Sequence, residues 1–127
     1  MKLGYIILYV PDVAAAMSFY EAAFGLTRRM LTPDGDYGEL STGETTLSFA
    51  SEDLAGSHGF SFTPLRAPAR PAFEVALVTD DVAGAFDRAL AAGATSLSPP
   101  ATKPWGQTVA YVSDCCGFTV ELCSPMG

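Results

Sequence analysis

Few residues in this sequence belong to the types that usually carry chemistry at neutral pH. The chain has one histidine, His58, and three cysteines, two of which are adjacent at Cys115 and Cys116. Adjacent cysteines seldom form a disulfide with each other, and without a basic neighbour their thiolate fraction is small. We therefore expect free thiols and a reducing compartment, with redox chemistry at this pair as the alternative.

Acidic residues outnumber basic ones by fourteen to seven, and the resulting net charge of −7 is spread over both halves of the chain. Such a field repels phosphate backbones and anionic lipid headgroups, so we expect neither nucleic acid nor a membrane surface as a partner. The same field favours a cationic ligand, although acidity also serves solubility alone. The apolar run at 3–10 is too short for a signal sequence or a membrane span, and we expect a cytoplasmic protein.

An internal repeat organises the chain. Asp12-Val13-Ala14 recurs as Asp81-Val82-Ala83, and in both places an apolar strand leads through an acidic N-cap into an alanine-rich helix that ends near a glycine. Three short strand-like runs follow each helix. The pattern predicts β-α-β-β-β twice within a single domain, 1–127: a first module at about 1–50, a linker or partial lid at about 51–70 and a second module at about 71–127.

Four motifs, in a fixed order, resemble those of a known superfamily. They are Leu8-Tyr9-Val10-Pro11-Asp12-Val13, Phe19-Tyr20, Phe24-Gly25-Leu26 and Asp114-x-x-Gly117-Phe118-x-Val120-Glu121-Leu122. Over essentially its whole length the chain resembles the single-domain bacterial type of the vicinal-oxygen-chelate superfamily, which includes glyoxalases, bleomycin-resistance proteins and extradiol dioxygenases. The resemblance implies an α+β fold whose two βαβββ modules form a half-open, curled mixed sheet with the helices outside. It also implies a ligand cavity on the concave face and a homodimer.

In metal-dependent members of this superfamily, side chains from the first and last strand of each module hold one divalent ion. The resemblance places the four positions at Tyr5, Leu47, Glu74 and Glu121. The repeat offset relates Tyr5 to Glu74, and spacing from a preceding glycine relates Leu47 to Glu121. Leucine cannot ligate a metal, and neutral tyrosine is a poor ligand. We therefore expect no cofactor and no tightly bound metal, although two carboxylates with water can hold Mg²⁺ or Ca²⁺ weakly.

Strand alternation and the family geometry predict a mostly apolar pocket with two acids at its floor. The predicted ligand-binding side chains are Tyr5, Ile7, Leu47, Phe49, Trp105 and Cys123. Glu74 and Glu121 are the candidate catalytic residues, because neighbouring carboxylates in apolar surroundings have raised pKa values and can serve as general acid or base. The alternative for the two glutamates is an ion pair with Arg28 or Arg29, or exposure at a strand end.

Three functions are open at this level. The first is a protein that binds a small organic molecule, cationic or hydrogen-bond-donating, in a concave cavity without a tight metal. The second is a lyase or isomerase that uses Glu74 and Glu121 as weak metal ligands or as general acid and base. The third is a non-catalytic interaction module with a vestigial cavity. Fold-level resemblance does not decide among them.

Overall fold

The computed structural model describes residues 1–126. Its elements are β1 (Tyr5–Val10), α1 (Val13–Phe24), β2 (Thr27–Leu31), β3 (Tyr37–Ser41), β4 (Thr46–Ser51), α2 (Glu52–Gly56), β5 (Glu74–Val78), α3 (Val82–Ala91), β6 (Thr95–Thr102), β7 (Thr108–Ser113) and β8 (Thr119–Cys123). The predicted α+β fold with a duplicated βαβββ order is confirmed. Among the residues described, no helix is long and apolar enough to cross a membrane.

Residues 1–21 and 25–64 form the first compact unit. Its sheet has the order β1-β4-β3-β2, with β1 parallel to β4 and the other pairs antiparallel. Helix α1 begins after Asp12, whose carboxylate accepts a backbone hydrogen bond of 3.0 Å from the first turn. Met17 and Tyr20 of α1 are fully buried. The helix therefore lays one apolar stripe against the sheet.

The second compact unit comprises residues 22–24 and 65–126. Its sheet repeats the first arrangement with the order β5-β8-β7-β6, and β5 is parallel to β8. Helix α3 begins after Asp81, whose side chain accepts a hydrogen bond of 2.9 Å from a backbone N–H of the first turn. Phe86 and Ala89 are buried on the inner side of this helix. The two acidic N-caps found in the sequence thus start equivalent helices.

Two segments differ from the sequence prediction. The sequence pattern favours a strand at about 95–98, whereas β6 continues to Thr102 through Pro99 and Pro100. It can do so because β6 is an edge strand, where proline breaks the ladder only locally, and its register with β7 shifts at these residues. The predicted linker also contains the short helix α2, which Ser51 caps by accepting a 3.0 Å hydrogen bond from the Leu54 N–H.

Strand register decides which residues of the two modules are equivalent. The corresponding parallel pairs are Tyr5 with Thr46 and Glu74 with Thr119. Two residues further along the last strand, Ser48 therefore corresponds to Glu121, and the prediction that Leu47 holds this position is wrong. The error is one residue, because the connection before the last strand spans 42–45 in the first module and 114–118 in the second. A one-residue shift moves a side chain to the opposite face of a strand.

Leu47 and Phe49 consequently belong to the hydrophobic core, and the prediction that they face a ligand site is corrected. Leu47 lies opposite Ile6 and Leu40 in the sheet and is 4% exposed. The ring of Phe49 is fully buried, and its centroid lies 5.0 Å from that of Tyr20 in α1. Alternate residues of one strand share a face, so Leu47 points to the same helix-covered side as Phe49.

This assignment predicts unequal effects of two truncations. Phe49→Ala should lower the free energy of unfolding by about 3–5 kcal/mol, since it removes a buried ring and leaves a cavity. Ile7→Ala, on the opposite face of the same sheet and 45% exposed, should cost less than about 1 kcal/mol. Urea unfolding of both variants measures the difference. Equal losses would show that Phe49 is not a core residue.

Candidate functional site

The sheet of the second unit carries the predicted glutamates on one face, which we call the acidic face. Side chains opposite each other in the register share a face, so this face consists of Glu74, Ala76 and Val78 from β5, Glu121 and Cys123 from β8, and Val109 and Tyr111 from β7. The intervening residues, including Val120 and Leu122, are buried in the core. The two predicted acids and Cys123 therefore do lie on one surface of one sheet.

Glu121 occupies the middle of the acidic face and is held there by Tyr111. The Tyr111 hydroxyl donates a hydrogen bond of 2.6 Å to Glu121 Oε1 across the β7 and β8 ladder. This bond to the carboxylate, together with partial burial and the charges of Glu121 and Glu74, raises the pKa of Tyr111 to about 12. The phenol stays protonated at neutral pH and fixes one carboxylate oxygen of Glu121.

Glu74 lies diagonally from Glu121 on the neighbouring strand, since Glu121 pairs with Ala76. Partial burial, followed by the negative charge of Glu121, raises the pKa of Glu74 above its ordinary value of 4.5. Within residues 1–126, neither glutamate forms an ion pair with lysine or arginine. Two carboxylates without a neutralising cation create a local negative potential on this face.

The alternative in which Arg28 or Arg29 neutralises these glutamates is wrong, whereas the alternative of exposure at a strand end holds for Glu74, the exposed first residue of β5. Arg28 binds Glu21 at 2.7 Å, and Arg29 lies 3.6 Å from Glu39. Both arginines are thus engaged by acids of the first module.

Trp105 and Cys123 occupy different places relative to the glutamates. Cys123 is buried, and its thiol lies 3.7 Å from the Leu77 carbonyl oxygen. Trp105 is 62% exposed in the β6–β7 turn, where its indole N–H donates a 3.0 Å hydrogen bond to Gln107. Gln107 in turn donates to the carbonyl of Ser124, just after β8. The turn is therefore tied to the end of the strand that carries Glu121, with Cys123 between them.

The first module carries a related but neutralised network. The Tyr37 hydroxyl lies 2.8 Å from Glu39 Oε2 and 3.0 Å from Ser48 Oγ, and partial burial is the main cause that raises its pKa. Arg29 approaches Glu39 and also donates to Thr46 at 3.2 Å. Tyr5 and Ile7 lie on this same face and are exposed.

Sequence reasoning missed the tyrosines that organise both faces. Tyr37 stands two residues before Glu39 in one strand, and Tyr111 falls on the alternate set of β7 that faces Glu121. The alternation of residues along β3 and β7 indicates which side chains share a face with each tyrosine. Only the pairing register shows which residues of the neighbouring strand the tyrosine contacts.

The donor set at the family's metal positions does not fit a tightly held transition metal. In the first unit the positions are occupied by Tyr5 and Ser48, and the Ser48 hydroxyl is already bonded to Tyr37. In the second unit the metal positions are occupied by Glu74 and Glu121. One carboxylate oxygen of Glu121 already accepts a hydrogen bond from the Tyr111 hydroxyl. Transition ions in open sites need three or four imidazole, thiolate or carboxylate ligands. His58, exposed after α2, occupies none of these positions.

The first unit also has an open depression of about 460 Å³ beside the turn between β2 and β3. It is lined by Thr32, Pro33, Asp34, Asp36, Tyr37 and Leu54. None of the residues predicted from the sequence lines it. Hydrogen bonds from the Asp36 backbone and from Thr32 lower the pKa of Asp34, so the turn organises its own carboxylate.

Cys115 and Cys116 lie in the tight turn between β7 and β8, with their sulfur atoms 3.5 Å apart. Neither cysteine forms a disulfide within residues 1–126. The hydrogen bond with Cys116, then burial and the nearby charge of Asp114, raise the pKa of the Cys115 thiol. The expectation of a small thiolate fraction at this residue agrees with this direction.

With this geometry in place, comparison with known proteins identifies the class. The family model for the glyoxalase/bleomycin resistance protein/dioxygenase superfamily matches residues 2–122. The chain belongs to this superfamily. A protein of Mycobacterium bovis named Mb0911c and described as uncharacterized is 31% identical over 123 residues, which cover 94% of this chain and 80% of the relative.

Solved structures show the same fold. A glyoxalase-related enzyme from Fulvimarina pelagi superposes with a TM-score of 0.84 at 22% identity, covering 98% of this chain and 88% of its own. A family enzyme from Burkholderia phytofirmans gives 0.82 at 22% identity, and TioX from Micromonospora gives 0.74 at 24%, each with 98% of both chains covered. At these identities the likeness establishes the fold, and function must be argued from the acidic face.

The Tyr111 and Glu121 pair generates a prediction about alkaline pH. Tyr111 should ionise near pH 12, as seen by NMR of ring-labelled tyrosine with Tyr111→Phe as the assignment control. In Glu121→Gln the same signal should titrate closer to 10, because the carboxylate is gone. Since the folded pKa is raised, the bond's contribution to stability is complete below about pH 10 and is lost as the pH rises through 12. An unchanged titration in Glu121→Gln would contradict the assignment.

Proposed function

We propose that this protein binds a small organic molecule on the acidic face, and that the molecule presents a cationic or hydrogen-bond-donating group beside a flat apolar part. One observation carries the proposal: Glu74 and Glu121 share a sheet face on which no lysine or arginine among residues 1–126 neutralises either carboxylate. Glu74 is exposed and Glu121 is half-buried, and the two like charges lie on neighbouring strands, so a bound cation offsets their mutual repulsion. The bound group thereby supplies the missing partner.

The surroundings of the two carboxylates support the apolar part of the ligand. Ala76 and Val78 lie on the same face and are exposed, so apolar surface borders the acids directly. Trp105, in the turn tied to the end of β8, offers an exposed ring whose polar N–H is already bonded to Gln107. Ligand sites commonly combine apolar walls with a few fixed polar groups. Tyr111 contributes to such a site by holding Glu121 in one orientation.

The alternative function is a lyase or isomerase of the same superfamily. The observation that favours it is the raised pKa of Glu74, caused by burial and by the charge of Glu121. A carboxylate with a raised pKa is a stronger base and can exchange a proton with a bound substrate. In this reading Glu74 moves the proton, and Glu121, fixed by Tyr111, orients the substrate. The binding function ranks first because it requires only the negative charges of Glu74 and Glu121, whereas the enzyme also requires proton transfer by Glu74.

The proposal includes a homodimer in a reducing compartment, as the resemblance and the cysteines suggest. Exposed apolar side chains occur in both units, Tyr5 and Ile7 in the first and Phe73 and Val78 in the second. Contact with a second copy would remove such surface from water. The cytoplasmic location remains a prediction from the sequence.

Ligand binding tests the central proposal. A thermal-shift screen of arylalkylamines, which are cationic at neutral pH, neutral aromatics and aromatic acids should select the amines. Each of Glu74→Gln and Glu121→Gln should weaken a selected amine about thirtyfold, which corresponds to about 2 kcal/mol per charged contact. Because the pKa of Glu74 is raised, amine affinity should increase as the pH rises above 4.5, and this dependence should shrink in Glu74→Gln. Isothermal titration calorimetry measures both effects.

The matched control is Asp87→Asn, which removes one negative charge from an exposed position of α3 in the same unit. It should bind the amine within about twofold of the parent, because long-range surface charge is screened by salt. If acids are selected over amines, or if both glutamine variants bind as well as the parent, the acidic face is not the recognition site. Turnover that is lost in Glu74→Gln while amine affinity is retained would favour the enzyme.

Native mass spectrometry tests the quaternary structure and the metal prediction together. The mass should correspond to two chains, and any bound metal in the parent should also be present in Glu121→Gln, since this carboxylate has too few neighbouring donors for a tight site. A monomer at micromolar concentration would contradict the dimer. Manganese, nickel or iron retained by the parent and lost in Glu121→Gln would contradict the metal-free site.

A further inference from the structure

We propose that Asp114, Cys115 and Cys116 form a binding site for a soft divalent cation of the zinc and cadmium class, separate from the acidic face. The carboxylate and the two sulfur atoms can offer ligand atoms that all lie within 4.8 Å of one another. Soft cations select thiolates over the oxygen ligands that glutamates provide. The inference does not depend on the proposed function, because none of these three residues belongs to the acidic face.

The distance between the two sulfur atoms allows both of them to bind one metal ion. The Cys115 and Cys116 sulfur atoms are 3.5 Å apart. With metal–sulfur bonds of about 2.3 Å, this separation gives a sulfur–metal–sulfur angle of about 100°, close to tetrahedral. A disulfide would require about 2.05 Å. The pair is therefore spaced for chelation without rearrangement, whereas disulfide formation would require the sulfur atoms to move together.

The turn that holds the two cysteines is fixed by hydrogen bonds of the third ligand. Asp114 Oδ1 accepts from the backbone N–H groups of Cys116 and Phe118, each at 2.8 Å. The Asp114 N–H donates to the Phe118 carbonyl at 2.9 Å. Gly117 adopts a φ of 100°, which permits this tight reversal between two strands. Ligands on a rigid turn lose little conformational freedom on binding an ion.

The site is open to an entering ion. Cys115 is exposed and Cys116 is half-buried, while Asp114 lies beneath them. Three protein ligands leave one tetrahedral position for water, which is the arrangement of an open zinc site. Binding releases the thiol protons and forms two metal–thiolate bonds, with no change of oxidation state.

Cadmium titration of the reduced full-length protein tests the inference. We expect one Cd²⁺ per chain and the ultraviolet charge-transfer absorption of two cadmium–thiolate bonds, with Zn²⁺ competing for the site. Cys115→Ser and Cys116→Ser should each halve this absorption and weaken binding at least about tenfold, because even the loss of a partner that only orients a metal ligand costs about 10–100-fold. Asp114→Asn should weaken binding but keep the absorption of both thiolates.

Cys123→Ser is the matched control, because Cys123 is a buried thiol in β8 outside the turn. It should bind Cd²⁺ with unchanged affinity and absorption. Circular dichroism and thermal melting establish that every variant is folded. The inference is overturned if both turn variants bind Cd²⁺ as tightly as the parent, if Cys123→Ser abolishes the absorption, or if excess Mg²⁺ displaces the ion.

Discussion

The two-residue period of the β-strand is the constraint on which both modules depend. In each sheet, one set of alternate residues is buried in the core and the other set stands on the opposite face. The first set must be apolar to hold the module together, so only the second is free to carry polar chemistry. The length of the connection before the last strand therefore determines which residues reach the functional face, because it sets the register.

Within that constraint, the two modules place charge differently. In the register, Glu39 of β3 corresponds to Tyr111 of β7. The first module therefore carries its acid and its phenol on one strand, whereas the second carries them on two neighbouring strands. The first module neutralises its glutamate with Arg29. The second sets a phenol beside Glu121 and adds Glu74, whose raised pKa reports burial and a like charge. The same fold thus carries two different faces. In the first module an arginine lies beside the glutamate, and in the second no lysine or arginine among residues 1–126 pairs with Glu74 or Glu121.

Much of the fold could be predicted because its signals are local. The repeated N-caps, Asp12 and Asp81, and the alternating apolar residues depend on neighbours in sequence, and the structure contains the elements they predict. The resemblance to the superfamily, with strand alternation, also implied that Glu74 and Glu121 face one site, and the register places them on one face of the sheet.

What the sequence did not reveal is non-local. Leu47 was misplaced because a one-residue difference between turns cannot be seen without the pairing of the strands. Tyr111 was missed because its role exists only across the β7 and β8 ladder. The arginine partners likewise depend on which strands are adjacent, since Arg29 and Glu39 come together only through the pairing of β2 with β3.

The strand order has a consequence for how the chain is made. Strand β8 is the last element in sequence, yet it lies between β5 and β7 in its sheet. During synthesis, β5 emerges before its hydrogen-bonded neighbour β8. The backbone N–H and C=O groups of β5 therefore have no strand partner until β8 has been made. The first module has the same constraint, because β1 pairs only with β4, the last of its four strands. In each module the fourth strand therefore joins the first strand to the rest of its sheet: Thr46–Ser51 in the first module and Thr119–Cys123 in the second.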